Sequence, residues 1–332
     1  MYINFYNLTK HPFQLTPDAE MLFVSEGHKS ALSYFNYGLL QGEGFVVLTG
    51  NSGVGKTTLI RTLIKEITDQ HISAATITAA NLDAFGVMET ISSAFGLKFE
   101  NKSKVALMKG ISDFVLDSYK KGSRVLLIVD EAQTLLPEAL EELRLLSNLE
   151  SKGKSLMQIF LVGQQELTST LLSSEFEQLR QRIIASYHLT ALSEVDVKKY
   201  IEHRLHKAGW LNNPKIDDDV YLEIFRWSSG IPRKINLMCD RLFLYGFTTE
   251  KHTLELKDIE QVITDIEKEI RGSLDSENDS TTDSSIEVHE PSFSNITLTN
   301  MNYKILQKLI DSISGIESSM KQLVELYKTK QK

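Results

Sequence analysis

FVVLTGNSGVGKTT, residues 45–58, is the stretch from which the rest of the chain is read. Phe45, Val46, Val47 and Leu48 form an apolar run of strand length, and Gly50, Asn51, Ser52, Gly53, Val54 and Gly55 form a glycine-rich turn. Lys56, Thr57 and Thr58 open an amphipathic run that continues to Ile67 with helical spacing. Strand, turn and helix thus stand in the order that the G-x-x-x-x-G-K-[ST] phosphate-binding motif requires. Glycines allow positive φ and close approach to the backbone. Successive N–H groups then form an anion nest, and the next helix adds its positive N-terminal end. The six turn residues are expected to wrap a nucleotide's phosphates. Lys56 should reach the β- and γ-phosphates, Thr57 should place its hydroxyl on Mg²⁺, and Thr58 should support the phosphates beside it. The alternative is a chance turn before a helix, and strand and helix in register argue against it.

The next signal is VLLIVDE, residues 125–131. Five apolar residues in a row predict a strand buried on both faces, as in a parallel sheet. Open α/β sheets bind ligands beyond the carboxyl ends of their strands, which is where the two acids fall. Asp130 is placed to hold Mg²⁺ through its water shell, and Glu131 to polarise the water that attacks a γ-phosphate. Carboxylates also gather at helix N-termini. The pair gains its force from lying about seventy residues after the phosphate loop. A further strand, residues 158–162, ends at Gly163 and Gln164. Gln164 suits orientation of the attacking water, and it also suits a solvated strand end. Residues 175–184 read as a helix containing Arg180 and Arg182. Residues 73–78 and 187–189 read as the remaining strands, and 28–40, 82–95, 105–119 and 137–150 as helices. Alternation of this kind predicts a doubly wound, mostly parallel sheet.

The 332 residues favour two domains, and 42% hydrophobic with 24% charged residues is ordinary globular composition. Cys239 is the single cysteine, so no intramolecular disulfide forms and a reducing cytoplasm suits the chain. It sits in an apolar helical stretch and reads as a buried structural thiol. No apolar run approaches the roughly 18 residues of a membrane helix, and the first residues lack the pattern of a signal peptide. A net charge of −8 argues against a broad nucleic-acid footprint.

Residues 1–44 form an arm and helix leading into the core, and 45–191 the α/β nucleotide-binding domain. In the arm, Pro12 and Phe13 could meet a nucleobase or pack on the core, since aromatic faces suit both. Residues 192–271 form a small all-α domain, with helices at 193–207, 217–227, 232–247 and 256–270 and no strand signal. Residues 272–298, rich in Ser and Asp, read as a disordered acidic linker. Residues 299–330 carry Leu306, Leu309, Ile313, Ile316, Met320, Leu323 and Tyr327 at spacings of three and four. That is a coiled-coil-like seam, open to self-association, to a partner, or to docking on its own protein.

Together these features resemble an AAA+ ATPase. The segments FYNLTKHPFQLTPD, YGLLQGEGFVVLTGNSGVGKTT, VLLIVDEAQTL, QIFLVGQQEL, LRQRI and GIPRKIN narrow the resemblance. They look like the general secretion pathway A type, closest to the secretion ATPases of exosortase/PEP-CTERM and exopolysaccharide loci. The resemblance covers roughly residues 1–270 and does not reach the linker or the terminal helix. It implies a P-loop fold with a five-stranded parallel sheet and a helical lid. It also implies ATP as substrate with Mg²⁺, and a homo-oligomer.

By the same resemblance, Arg182, with Arg180 as the alternative, would be the arginine finger reaching a neighbouring subunit's γ-phosphate. Arg233 would be the lid arginine that touches nucleotide. An arginine's planar cationic fork suits both tasks, whereas a solitary surface arginine more often makes a salt bridge. Asn51 and Ser52 depart from the acid and apolar residue frequent at those positions. The loop works through backbone N–H groups, so this should matter little. Relatives in type II secretion carry a membrane segment and a periplasmic peptidoglycan-binding region, which these residues do not show. That favours a cytoplasmic protein of the exopolysaccharide-locus type, peripheral at the inner membrane through a partner of the terminal helix. Two other functions fit the same site: a DNA-associated regulator, and a nucleotide-gated scaffold with little turnover.

Overall fold

The computed structural model describes residues 1–16, 21–67 and 71–278. The terminal helix and the linker beyond Asn278 lie outside the described residues. In chain order the first part holds α1 (Tyr2–Phe5), α2 (Glu26–Gln41), β1 (Phe45–Gly50), α3 (Lys56–Ile67) and β2 (Ile72–Thr78). Next come α4 (Ala84–Ala94), α5 (Lys104–Lys120), β3 (Arg124–Asp130) and α6 (Pro137–Ser147). A short hairpin, β4 (Glu150–Ser151) and β5 (Lys154–Ser155), precedes β6 (Met157–Gly163). Then follow α7 (Gln165–Leu172), α8 (Glu177–Arg180) and β7 (Ile183–Leu189). The helical domain comprises α9 (Glu194–Lys207), β8 (Lys215–Ile216), α10 (Asp218–Ser228), α11 (Pro232–Thr248), β9 (Thr253–Leu254) and α12 (Leu256–Asn278).

The main sheet has five parallel strands in the order β2-β3-β6-β1-β7. Parallel neighbours need crossovers, and the helices that make them cover both faces. Side chains alternate across the pleat. Val125, Leu127, Val129, Ile159 and Leu161 therefore pack on one side with α4, α5, α6 and α7. Leu126, Ile128, Phe160 and Val162 pack on the other with α2 and α3. Phe35 stacks on Phe160 there, with ring centroids 5.1 Å apart. Burial on both faces is why β3 and β6 read as unbroken apolar runs.

Register brings the chemistry to one edge. Thr49 of β1 pairs with Gly163 of β6, and Val129 of β3 with Leu161. The glycine-rich turn, the two acids and Gln164 therefore leave the sheet side by side. Side-chain caps start several helices: Ser25, Asp83, Ser103 and Ser193 each accept the N–H three residues on.

Several boundaries differ from the sequence reading. The helix expected over 175–184 stops at Arg180, and Ile183 already belongs to β7. The Phe45 N–H donates to the Arg182 carbonyl at 2.9 Å, so sheet pairing takes over from helix there. The helix begun at Pro137 stops at Ser147, and the chain turns through Lys152 and Gly153, both at positive φ, to make the hairpin. The helical domain also contains strands: β8 and β9 pair in parallel. α12 runs to Asn278 through the first residues of the expected linker.

The N-terminal arm is divided between the two cores. α2 packs on the sheet, while Tyr2, Tyr6, Leu8, Phe13 and Met21 complete the core of the helical domain. Phe13 lies edge-on to Phe243, centroids 5.4 Å apart. It is a core aromatic, buried in the helical domain. Cys239 is buried in the same core, where burial pushes its thiol pKa well above the usual range and keeps it neutral.

Candidate nucleotide-binding site

The loop after β1 is shaped by its glycines. Gly53 and Gly55 have φ of 81° and 107°. A Cβ at Gly53 would stand 2.7 Å from the Arg233 Cβ, and one at Gly55 would stand 3.0 Å from His28 Nε2. Lys56 opens α3 and is 5% exposed. Its Nζ donates to the Gly50 carbonyl at 2.8 Å and the Asn51 carbonyl at 3.1 Å. Burial lowers its pKa, and the carboxylates of Glu131 and Asp130 act in the opposite direction. The ammonium thus rests on loop carbonyls in a position that a phosphate oxygen could share.

Thr57 Oγ1 donates to Asp130 Oδ2 at 2.9 Å. This puts two hard oxygen donors from different elements at one point. Among the described residues no group of three or more His, Cys, Asp or Glu side chains could cage a metal. A pair of protein oxygens suits Mg²⁺, which keeps most of its waters and takes phosphate oxygens for the rest.

Glu131 follows β3 in the left-handed region, φ 55°, and its N–H donates to Asp130 Oδ1 at 2.9 Å. Its carboxylate is held by a residue that the sequence reading passed over. Gln133 Nε2 donates to Glu131 Oε2 at 2.6 Å, and Gln133 Oε1 accepts the Gln164 N–H at 2.9 Å. The Gln164 side chain reaches the same Glu131 oxygen only at 3.5 Å. Gly163 makes room, because a Cβ there would meet Gln133 Oε1 at 2.8 Å. The available signal was the Ala-Gln that follows the two acids.

The helical domain closes over the loop. The Arg233 N–H, at the start of α11, donates to the Gly53 carbonyl at 3.2 Å. Between loop, arm and helical domain lies a cavity of about 520 Å³, within the range of small-ligand pockets. Ser52 through Thr58, Glu131 and Arg233 line it. So do residues from the arm, and His28, Tyr200, Arg204 and Asn236, none of which was singled out from sequence. His28 is buried, and its Nδ1 lies 2.7 Å from Ser25 Oγ.

Arg180 and Arg182 are not in this cavity. They precede β7, at the opposite end of the strands from the loop. Arg180 Nη1 donates to the Leu172 carbonyl at 3.1 Å and the Leu171 carbonyl at 3.3 Å, capping α7. Arg182 is exposed, with Nη1 on the Ser147 carbonyl at 3.3 Å.

Comparison with known proteins bears on the fold. Residues 39–171 match the family model described as AAA domain. General secretion pathway protein A of Aeromonas hydrophila is 41% identical over 261 residues, covering 78% of this chain and 47% of that protein. ATP-dependent target DNA activator B of Escherichia phage Mu is 29% identical over 210 residues, 62% of this chain and 60% of that protein. The chain thus spans about half the length of the curated relatives it matches. Among solved structures, the ORC2 protein of Aeropyrum pernix superposes with a TM-score of 0.55 at 18% identity, over 72% of this chain and 66% of that one. Cdc6p from Pyrobaculum aerophilum gives 0.59 at 14% identity, over 75% and 71%. At such identities the likeness concerns fold alone. The fold is that of the P-loop AAA+ ATPases, residues 39–171 match the AAA domain model, and 78% of the chain is similar to general secretion pathway protein A.

Proposed function

We propose that this chain binds ATP with Mg²⁺ in the cavity beside the loop and hydrolyses it to ADP and phosphate. The observation that carries the proposal is convergence: Lys56, the Thr57–Asp130 pair, the Gln133-held Glu131 and Arg233 meet around one cavity. The N–H groups of Gly50 to Gly55 cradle the phosphates, helped by Lys56 and Thr58. Thr57 and Asp130 hold Mg²⁺, which neutralises charge on the β- and γ-phosphates. Glu131 orients the attacking water and takes its proton, while Gln133 keeps the carboxylate aimed and Gln164 marks the γ-phosphate end. Arg233 senses nucleotide for the helical domain. Arg182, being exposed and remote from its own cavity, acts on the site of a second copy, with Arg180 next to it. The active form is therefore a homo-oligomer.

The work done with this energy follows the similarity to general secretion pathway protein A. The chain powers or regulates assembly of a secretion or exopolysaccharide export system, at the inner membrane through a protein partner of residues 299–330. Among the described residues no helix is long and apolar enough to cross a membrane. Calorimetry with Mg-ATP and a phosphate-release assay test the chemistry. Lys56→Ala should abolish ATP binding. Glu131→Gln should retain it and lower turnover by about a hundredfold or more. Normal ATP binding by Lys56→Ala would sink the proposal.

A second reading rests on the similarity to ATP-dependent target DNA activator B of phages D108 and Mu. Here the output is DNA binding gated by ATP. Turnover stimulated by duplex DNA, with a steep loss on adding salt, would favour it over the secretion role.

A further inference from the structure

Part of the cavity wall is polar in a way that phosphate chemistry does not use. Tyr200 and Arg204 of α9 and Asn236 of α11 line it. Arg204 is 7% exposed. Its Nε donates to the Pro12 carbonyl at 2.6 Å and its Nη1 to Tyr200 Oη at 3.0 Å. Its Nη2 is buried with no partner among the described residues. A guanidinium can only donate, and a buried charged donor without an acceptor is costly.

The direction of the hydrogen bonds settles the neighbouring groups. Tyr200 Oη accepts from Arg204, so its single proton goes to Asn236 Oδ1, 2.8 Å away. That fixes the amide, with Oδ1 used and Nδ2 left to donate. Arginine, tyrosine and asparagine thus form a relay that ends in spare donors on both sides. Asn236 lies three residues after Arg233 on α11, so the two share a helix face. The Arg233 N–H is bonded to the loop at Gly53. The relay therefore stands next to the place where phosphates would lie. Leu15, Met21 and Leu22 of the arm supply apolar wall to the same cavity.

We propose that Arg204, Tyr200 and Asn236 are the nucleoside-reading group of this site, donating from Arg204 Nη2 and Asn236 Nδ2 to acceptor atoms on the base or ribose. The proposal rests on the reading of the cavity as an ATP site and adds specificity to it. It gives the buried guanidinium its missing acceptor. It also links the arm to the ligand, because Arg204 holds the Pro12 carbonyl with its other edge. A nucleotide bound here keeps the arm seated on the helical domain.

The test compares Mg-ATP with inorganic tripolyphosphate by calorimetry on the full chain. 2′-Deoxy-ATP and the 1-, 3- and 7-deaza analogues of ATP are included, each lacking one acceptor. Arg204→Met should weaken ATP by about tenfold to a hundredfold and leave tripolyphosphate unchanged. At least one analogue should bind wild type more weakly than ATP does, and that difference should vanish in Arg204→Met. A base analogue showing this coupling places the acceptor on the base; the deoxy analogue places it on the ribose; both support the proposal. Asn236→Ala leaves the Pro12 contact intact and carries the same comparison if Arg204→Met unseats the arm. Equal weakening of ATP and tripolyphosphate, or analogue penalties identical in wild type and variants, would overturn it. Wild type binding neither ATP nor tripolyphosphate would defeat the ATP reading and this inference with it. ATP binding without any coupling would defeat this inference alone.

Discussion

Gln133 shows how one side chain can join two strands' worth of chemistry. Its amide donates to Glu131 and accepts from the Gln164 backbone, so it fixes the carboxylate after β3 relative to the end of β6. Gln133→Ala removes both bonds and leaves the loop untouched. The expected outcome is ATP affinity close to wild type with turnover lowered about tenfold to a hundredfold, the usual consequence of a misaimed catalytic group. Single-turnover kinetics and calorimetry on one preparation check it. His28 supports a prediction of another kind. Burial beside Gly55 lowers its pKa below the ordinary 6.5. The unfolded chain therefore takes up a proton at a pH where the folded chain does not. Folding stability is lost as pH falls below about 6.5 and is fully restored above it. Melting temperatures should drop between about pH 7.5 and pH 5.5, and the drop should be smaller in His28→Gln. The placement of the glycine-rich turn and of Asp130–Glu131 at strand ends was legible in the sequence because their pattern is local. Gln133, His28 and Arg204 were not, because each matters through a neighbour distant in the chain: Gln164, Gly55 and Pro12.

At the scale of elements, the contact between α11 and the loop ties the helical domain to the glycine-rich turn. The Gly53 carbonyl accepts the Arg233 N–H, and the Gly53 Cα lies so close to Arg233 that no Cβ fits. Gly53→Ala therefore forces either the loop or the start of α11 to move, in a backbone conformation that alanine already disfavours. The expected result is ATP binding weakened about tenfold or more, with the melting temperature of the nucleotide-free protein changed much less. Calorimetry and thermal denaturation separate the two. The elements differ in how plainly the sequence marks them, for physical reasons. β3 and β6 are covered on both faces, so their apolar runs are unambiguous. β7 is an edge strand with only β1 beside it, and its exposed positions hid its first half. β8 and β9 are two residues each, too short for any periodicity. The arm's aromatics signalled burial correctly but could not say which core would take them, and Phe13 went to Phe243.

For the whole molecule, the decisive feature is that Arg182 and the cavity stand at opposite ends of the strands. An arginine there cannot serve its own site, and it is exposed. If it completes the site of a second copy, two separately dead variants should rescue each other. Glu131→Gln keeps its arginine and loses its water-orienting carboxylate. Arg182→Ala keeps the carboxylate and loses the arginine, which should cost about a thousandfold in turnover. Each alone should bind ATP and hydrolyse almost none. Mixed and allowed to reassemble, the carboxylate of one and the arginine of the other meet at a fraction of the contacts, and turnover returns. Rescue should disappear when the mixture is diluted below the concentration at which copies associate, as sedimentation would show. Arg180→Ala, tested in the same mixture, distinguishes the two arginines. Arg180 caps the carbonyls of α7, so its loss should lower stability rather than be rescued by a partner. A mixture of Glu131→Gln and Arg182→Ala no more active than its components would leave Arg182 as a surface residue bonded to the Ser147 carbonyl. The case for an obligatory oligomer would then fall with it.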